Sequence, residues 1–309
     1  MIATDLLTEL REALPDRVRT DEPLARYTSA RIGGPADVFV EVTSADELAD
    51  VVTRLWHAGT PFIILGGGSN MLVSDRGIRG VVLHNRARQV RFDSAASLPH
   101  VWAESGANFG VIARQAAQKG LSGLEWAAGI PGTVGGAVYG NAGAHGGDVA
   151  GSIDLAEILH KYQGRVQWTL TELAYAYRSS QLKRNAGDAV VLAAHMRLGH
   201  DNPAVIAARM DEFLAHRRTT QPPGATIGSM FKNPPGDHAG RLIEAAGLKG
   251  YRVGHAGVSE LHANFFVNHG DAAADDVHAL IQHAHDAVLA AFNVDLRLEV
   301  ELVGEWGHI

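Results

Sequence analysis

Between Gly129 and Gly147 the chain reads Gly-Ile-Pro-Gly-Thr-Val-Gly-Gly-Ala-Val-Tyr-Gly-Asn-Ala-Gly-Ala-His-Gly-Gly, eight glycines in 19 residues. So many residues without a Cβ are entropically costly to order. A run of ordinary turns does not account for the whole stretch, whereas a large ligand lying against bare backbone does. A shorter cluster, Leu65-Gly-Gly-Gly-Ser-Asn-Met-Leu-Val73, sits between two apolar runs. Successive N–H groups in such a turn can form an anion-binding concavity, to which Ser69 and Asn70 add side-chain donors. Taken alone, this second cluster is equally well a tight strand connection that binds nothing.

Neither cluster is a familiar nucleotide loop. No Gly-Lys-Ser/Thr triplet follows a glycine turn, so a P-loop is absent. The short cluster runs Gly66-x-Gly68-x-x-Met71 and lacks the third glycine of the dinucleotide fingerprint. The glycines therefore point to a cofactor or phosphate and go no further.

Other chemistries fall to composition. The chain has no cysteine, which removes disulfides, thiolate metal sites, a cysteine nucleophile and a cysteinyl flavin. Its net charge of −7 comes without a Lys/Arg block, unlike a nucleic-acid-binding footprint. A local cluster can still bind a small anion. There is no apolar run long enough for a membrane helix, and the start, Met1-Ile-Ala-Thr-Asp, lacks the basic and apolar regions of a secretory signal. The expected compartment is the cytoplasm. No His-Glu-x-x-His motif occurs, and His278, His283 and His285 lack the i, i+4 spacing of a metal pair, so no metal site is expected.

Patterning predicts helices over 4–14, 45–58, 108–118, 238–246 and 272–291, and a helix opened by Asn202-Pro203 as N-cap and N1. Ser44 and Glu47 form a capping-box pattern before the second of these. Strands are predicted at 38–42, 61–65, 80–84, 100–104, 152–160, 164–169, 188–198, 263–268 and 296–303. The irregular order of helices and strands predicts an α+β fold. A change in composition places a domain boundary near residue 200.

Six segments, in order and spanning nearly the whole chain, resemble the UDP-N-acetylenolpyruvoylglucosamine reductase family. They are Arg31-Ile-Gly-Gly-Pro-Ala-Asp37, Leu65-Gly-Gly-Gly-Ser-Asn-Met-Leu72, Gly129-Ile-Pro-Gly-Thr-Val-Gly-Gly136, Ala176-Tyr-Arg-Ser-Ser180, Gly228-Ser-Met-Phe-Lys-Asn-Pro234 and His262-Ala-Asn-Phe-Phe-Val-Asn268. The resemblance implies a lead-in over 1–29 and, over 30–198, an FAD-binding module of the vanillyl-alcohol oxidase type with two α+β subdomains. An α+β substrate domain would follow over 199–309. It implies noncovalent FAD held by Gly66, Gly67, Gly68, Ser69 and Asn70 in the short cluster. In the long cluster the matching positions are Ile130, Pro131, Gly132, Thr133, Gly135, Gly136, Ala137, Asn141 and Gly143.

The implied reaction is reduction of UDP-N-acetylglucosamine enolpyruvate, with NADPH as co-substrate, by a monomer. Arg178 would grip the substrate carboxylate, since a planar guanidinium can do so through two bonds. Ser229 would donate the proton and Glu299 would share the site. Outside the motif, Arg178 reads as a surface arginine and Ser229 as a turn residue. Glu301, two residues on, would face the same side of a strand as Glu299. Tyr177, Arg217, Arg218, Lys232, Asn233 and His262 are the implied substrate contacts, with Gln221 and Asn264 beside them. Leu261 stands where the family often has lysine. Arg178 and Ser229 are only 51 positions apart, which fits the subgroup without a long tyrosine-bearing loop. Another FAD oxidase on the same module, or a flavin-binding protein without catalysis, are the competing readings. The 228–234 segment speaks against the first, and the joint presence of Arg178, Ser229 and Glu299 against the second.

Overall fold

The computed structural model describes residues 4–307; the first three residues of the polar start, and His308 and Ile309, lie outside the described residues. Three α+β units follow one another. In the first, strands Pro35–Val42, Ile78–Asn85 and Phe62–Leu65 run parallel, and Val18–Pro23 closes one edge antiparallel. Parallel strands need cover on both faces. Val38, Val40, Val42, Val81 and Leu83 pack on one side against Leu6 and Leu10 of helix Thr4–Ala13 and Leu48, Val51, Val52 and Leu55 of helix Ala45–His57. Phe39, Val82, Ile78 and Leu65 fill the other side. A register shift between Ala36 and Val38 lets Ala36 join Phe39 despite their odd spacing.

The second unit is a five-stranded antiparallel sheet in the order Gly164–Trp168, Ile153–His160, Ala189–Arg197, His100–Glu104, Val90–Asp93. Helices Phe109–Gln118 and Val134–Gly140 supply its core. Buried Glu104 joins the two units: its carboxylate accepts the N–H of Ala45 at 2.9 Å and of Gln89 at 2.7 Å. A helix start and a loop otherwise short of partners are satisfied by one side chain.

In the third unit, Ala225–Ser229, Phe265–Asn268, Ala256–Val258 and Arg252–Val253 form an antiparallel sheet under helices Ala239–Ala245 and Ala274–Phe292. Helix Pro203–Thr220 opens at the expected Asn202 cap, whose side chain takes the Ala204 N–H. It buries Ile206 and Met210 in the core of the second unit.

Two local readings need correction. The 296–303 segment is not one strand. Leu298 makes a single bridge to Phe231, and only Glu301–Val303 forms a strand, parallel to Met71–Val73. The chain passes from the third unit to the first within five residues, and no single neighbour spans it. The capping box at Ser44 is half made. Ser44 accepts the Glu47 N–H, but the Glu47 carboxylate turns to the Thr43 N–H and to Arg17. A guanidinium outcompetes a lone backbone donor for a carboxylate.

Candidate active site

The two glycine clusters, more than sixty residues apart, touch. A Cβ on Gly66 would strike the Thr133 side chain, and one on Gly67 would lie 3.0 Å from Gly132 Cα. Ser69 Oγ donates to the Pro131 carbonyl at 3.3 Å. Gly68 has φ +57°, and a Cβ there would collide with the Tyr27 carbonyl. Thr133 opens helix Val134–Gly140 without a side-chain cap. The Val134 and Gly135 N–H groups are taken by the carbonyls of Ala107 and Ser105. Among the described residues, the exposed Gly136 N–H has no such acceptor. Bare backbone, a free donor at a helix start and two loops in contact suit a phosphate-bearing ligand.

Helix Val134–Gly140 also positions Arg178. Ala176 and Ser179 exchange both backbone bonds at 3.0 Å, leaving Tyr177 and Arg178 at the tip of a turn. Arg178 takes φ +52°, at the place where a type II turn ordinarily wants glycine. Such strain costs on the order of 1–2 kcal/mol and persists where surrounding structure imposes it. Here Tyr175 Oη donates to the Val138 carbonyl, Ser180 Oγ to the Tyr139 carbonyl, and Asn141 Nδ2 to the Ala176 carbonyl. The turn is thus bolted to the long glycine cluster.

The strained arginine meets Glu299. Its Nε lies 2.7 Å from Glu299 Oε1, in an ion pair whose angle makes no hydrogen bond. Burial raises the proton affinity of Glu299, while Arg178, Lys183 and Lys232 oppose the rise in that order. Lys183 pairs with Glu301 at 2.8 Å. Burial, then nearby Lys183, makes Lys232 easier to deprotonate. Three cations therefore surround two carboxylates, a surplus of positive charge that favours an anionic ligand.

Ser229 reaches this cluster through the backbone. Gly228, at φ +86°, and a register shift between Thr226 and Ser229 end its strand. The next residue, Met230, accepts the Glu299 N–H at 2.8 Å, and Lys232 N–H donates to the Arg297 carbonyl. Buried Asn264 pins the stretch from behind, accepting from Phe231 N–H and donating to Phe231 O. Asn70 adds a link from the short glycine cluster, its Nδ2 donating to the Glu299 carbonyl at 3.2 Å.

Other expected contacts have local work. Asn141 accepts the Ala150 N–H, and Gly143 pairs in a hairpin with Asp148. Ala137 is buried, Ile130 packs against the core of the second unit, and the Pro131 carbonyl meets Ser69 at the junction of the two glycine loops. Asn233 caps helix Ala239–Ala245 through the Ala239 N–H. His262 Nδ1 accepts the Asn264 N–H, and burial disfavours its charged form. Arg217 lies against Gly129, and burial lowers its pKa; Arg218 and Tyr177 are exposed.

Comparison with known proteins decides the family. Residues 36–163 match the FAD binding domain model, and 220–303 match the UDP-N-acetylenolpyruvoylglucosamine reductase C-terminal domain model. The UDP-N-acetylenolpyruvoylglucosamine reductase of Chloroflexus aggregans is 45% identical over 95% of this chain and all of its own. That of Bacillus subtilis is 40% identical over 97% of this chain and 98% of its own. The crystal structure of the Thermus caldophilus reductase superposes with a TM-score of 0.80 at 35% identity, over 93% of this chain and 99% of that one. The chain belongs to the UDP-N-acetylenolpyruvoylglucosamine reductase family.

The family's FAD fits the residues present. Backbone-lined loops around Gly66–Asn70 and Gly132–Gly136 offer donors where side chains would obstruct. The fold is α+β, an FAD binding domain joined to the reductase C-terminal domain, as the resemblance implied. Sequence reasoning missed Lys183 and Tyr139 and kept Glu301 only as a rival to Glu299. The one signal was positional: Lys183 falls in the turn that Ser180 caps, five residues after Arg178.

Proposed function

We propose that the protein reduces UDP-N-acetylglucosamine enolpyruvate to UDP-N-acetylmuramate, with NADPH and noncovalent FAD, in peptidoglycan precursor synthesis. The observation that carries the reading is the Arg178–Glu299 pair, one backbone bond from the Ser229 segment and beside two touching glycine loops. The loops of 30–198 hold the cofactor, and 199–309 contributes the substrate side. The protein acts as a cytoplasmic monomer; among the described residues no helix is long and apolar enough to cross a membrane.

Bound FAD supplies the hydride chemistry that no side chain here can. The substrate's double bond is conjugated to a carboxylate, so negative charge gathers on that carboxylate as the bond is reduced. Arg178 binds the carboxylate and stabilises the charge most when it is largest, which is where binding energy accelerates a reaction. The Ser229 hydroxyl gives its proton to the adjacent carbon. A hydroxyl is a weak acid, so it needs help. Lys232 and Arg178 stabilise the alkoxide left behind, and the raised proton affinity of Glu299 suits it to return the proton. Tyr177, Arg217, Arg218, Asn233 and His262 line the approach.

The test is anaerobic stopped-flow. NADPH should bleach the flavin band, and UDP-N-acetylglucosamine enolpyruvate should restore it rapidly. Restoration by oxygen alone would move the oxidase reading ahead. A protein that binds no FAD on reconstitution would end this one.

A further inference from the structure

Two ion pairs cross the same gap side by side. Arg178 meets Glu299 at 2.7 Å, and Lys183 meets Glu301 at 2.8 Å. The cations come from one short stretch, the 176–179 turn and the helix Gln181–Arg184 that Ser180 caps. The carboxylates come from another, two residues apart. Between them Val300 is buried, so the segment cannot rotate to exchange the two acids freely. Lys183 also sits 5.9 Å from the Tyr139 ring. Burial and then the charge of Glu301 push the Tyr139 hydroxyl up to about 12, so Tyr139 stays a neutral wall.

We propose that Lys183 and Glu301 are a positioning pair: Glu301 holds the Lys183 ammonium off Glu299, leaving that carboxylate to Arg178. The proposal rests on reading Glu299 as part of the active site. The charged groups acting on Glu299 are Arg178 from the turn, Lys183 from the short helix and Lys232 from the segment after Ser229, with Glu301 two residues on along its own segment and Arg297 acting on Lys232. Tyr139 closes the helix side. Lys183 and Lys232 both have flexible stems, whereas Arg178 is fixed by its turn, and of the two lysines it is Lys183 that Glu301 holds. An ammonium released from Glu301 would reach Glu299, favour its charged form and compete with Arg178.

Opposite effects of the two partners follow. In Lys183→Met a cation that lowers the Glu299 pKa is removed, so its titration midpoint rises. In Glu301→Gln the freed ammonium approaches Glu299, so the midpoint falls. A shift of about one pH unit, a tenfold change in proton affinity, is the scale for one charge in a half-buried site. Loss of the Glu301 charge by itself also favours ionisation of Glu299, so Glu301→Gln is repeated in the Lys183→Met background, where no ammonium can be freed and the fall in midpoint should vanish. The measurement is a carbon-13 NMR titration of glutamate-labelled holoenzyme, with the Glu299 resonance assigned by its loss in Glu299→Gln. It reads the carboxylate directly, whatever the substrate, so its outcome is separable from that of the reductase test. Opposite shifts, with the effect of Glu301→Gln lost when Lys183 is Met, support the proposal, and a fall in midpoint that persists in the Lys183→Met background overturns it. No shift in either variant, or shifts of the same sign, overturn it. Should Lys183→Met fail to fold, the exchanged pair Lys183→Glu with Glu301→Lys serves instead. A midpoint near that of the native protein supports the proposal, and one displaced as far as in Glu301→Gln overturns it.

Discussion

Arg178 pays for its 2.7 Å approach to Glu299 with a left-handed backbone, φ +52°, in a turn held by three side-chain hydrogen bonds around helix Val134–Gly140. Stability and function are therefore opposed at this residue. Arg178→Gly should relieve about 1 kcal/mol of strain, less the loss of the ion pair, and leave the melting temperature near or above that of the native protein. The same change should slow substrate-driven flavin reoxidation by roughly 100-fold or more, the scale for losing one charge-stabilising donor. Flavin reduction by NADPH should survive. Equal loss of both half-reactions would assign Arg178 to cofactor binding.

Glu299 carries a pH signature. Its folded-state pKa is raised by burial. A carboxylate of this kind contributes stability below its unfolded pKa and loses it as pH rises through the folded value. The melting temperature of Glu299→Gln, relative to the native protein, should thus climb over the pH window that opens at the ordinary carboxylate range and extends above it. A flat difference across that window would show that Arg178 fully offsets the burial.

Glu47 has the opposite sign. Hydrogen bonding to Arg17, opposed by burial and aided by Thr43, holds its carboxyl at about 2. The stabilisation is present above the ordinary carboxylate pKa and fades as pH falls toward 2. Glu47→Gln should cost about 1 kcal/mol at pH 7, a charge-assisted pair at a partly exposed site, and almost nothing near pH 2. Urea denaturation at the two pH values measures it.

The short glycine cluster separates folding from cofactor binding. Gly68→Ala puts a Cβ into the Tyr27 carbonyl at positive φ and should destabilise the protein by about 2 kcal/mol or more. Gly67 is exposed, and its added carbon meets the backbone of Gly132, with Cα nearest at 3.0 Å. Gly67→Ala should change stability by less than about 1 kcal/mol yet weaken FAD retention severalfold, read from flavin fluorescence on dilution. Unchanged retention would place the cofactor elsewhere.

Asp75 provides a cap from a distance. It accepts the N–H groups of Ala274 and Asp275, at 3.0 and 3.2 Å, at the start of helix Ala274–Phe292, whose own N-cap, Ala273, has no side-chain acceptor. Asp75→Ala should cost about 1–2 kcal/mol. Hydrogen exchange should rise first in that helix.

The amino-acid sequence by itself determined the parts. Glycine clustering called for backbone against a ligand, periodicity marked the long helices, and six ordered motifs carried the family. Local chemistry suffices for these, because caps, turns and hydrophobic repeats act within a few residues. Tertiary structure decided the partnerships. Strand spacing alone leaves Glu299 and Glu301 on one side, and it is Glu299, which the family resemblance favoured, that meets Arg178. The 296–303 segment resolves it by changing partners midway, bridging to Phe231 at Leu298 and joining Met71–Val73 from Glu301 onward. The Asp75 cap, the Glu104 clasp and the Lys183–Glu301 pair were invisible for the same reason. Each joins groups that only long-range packing brings within hydrogen-bonding distance, and such distances are set by the whole core rather than by neighbours in the chain.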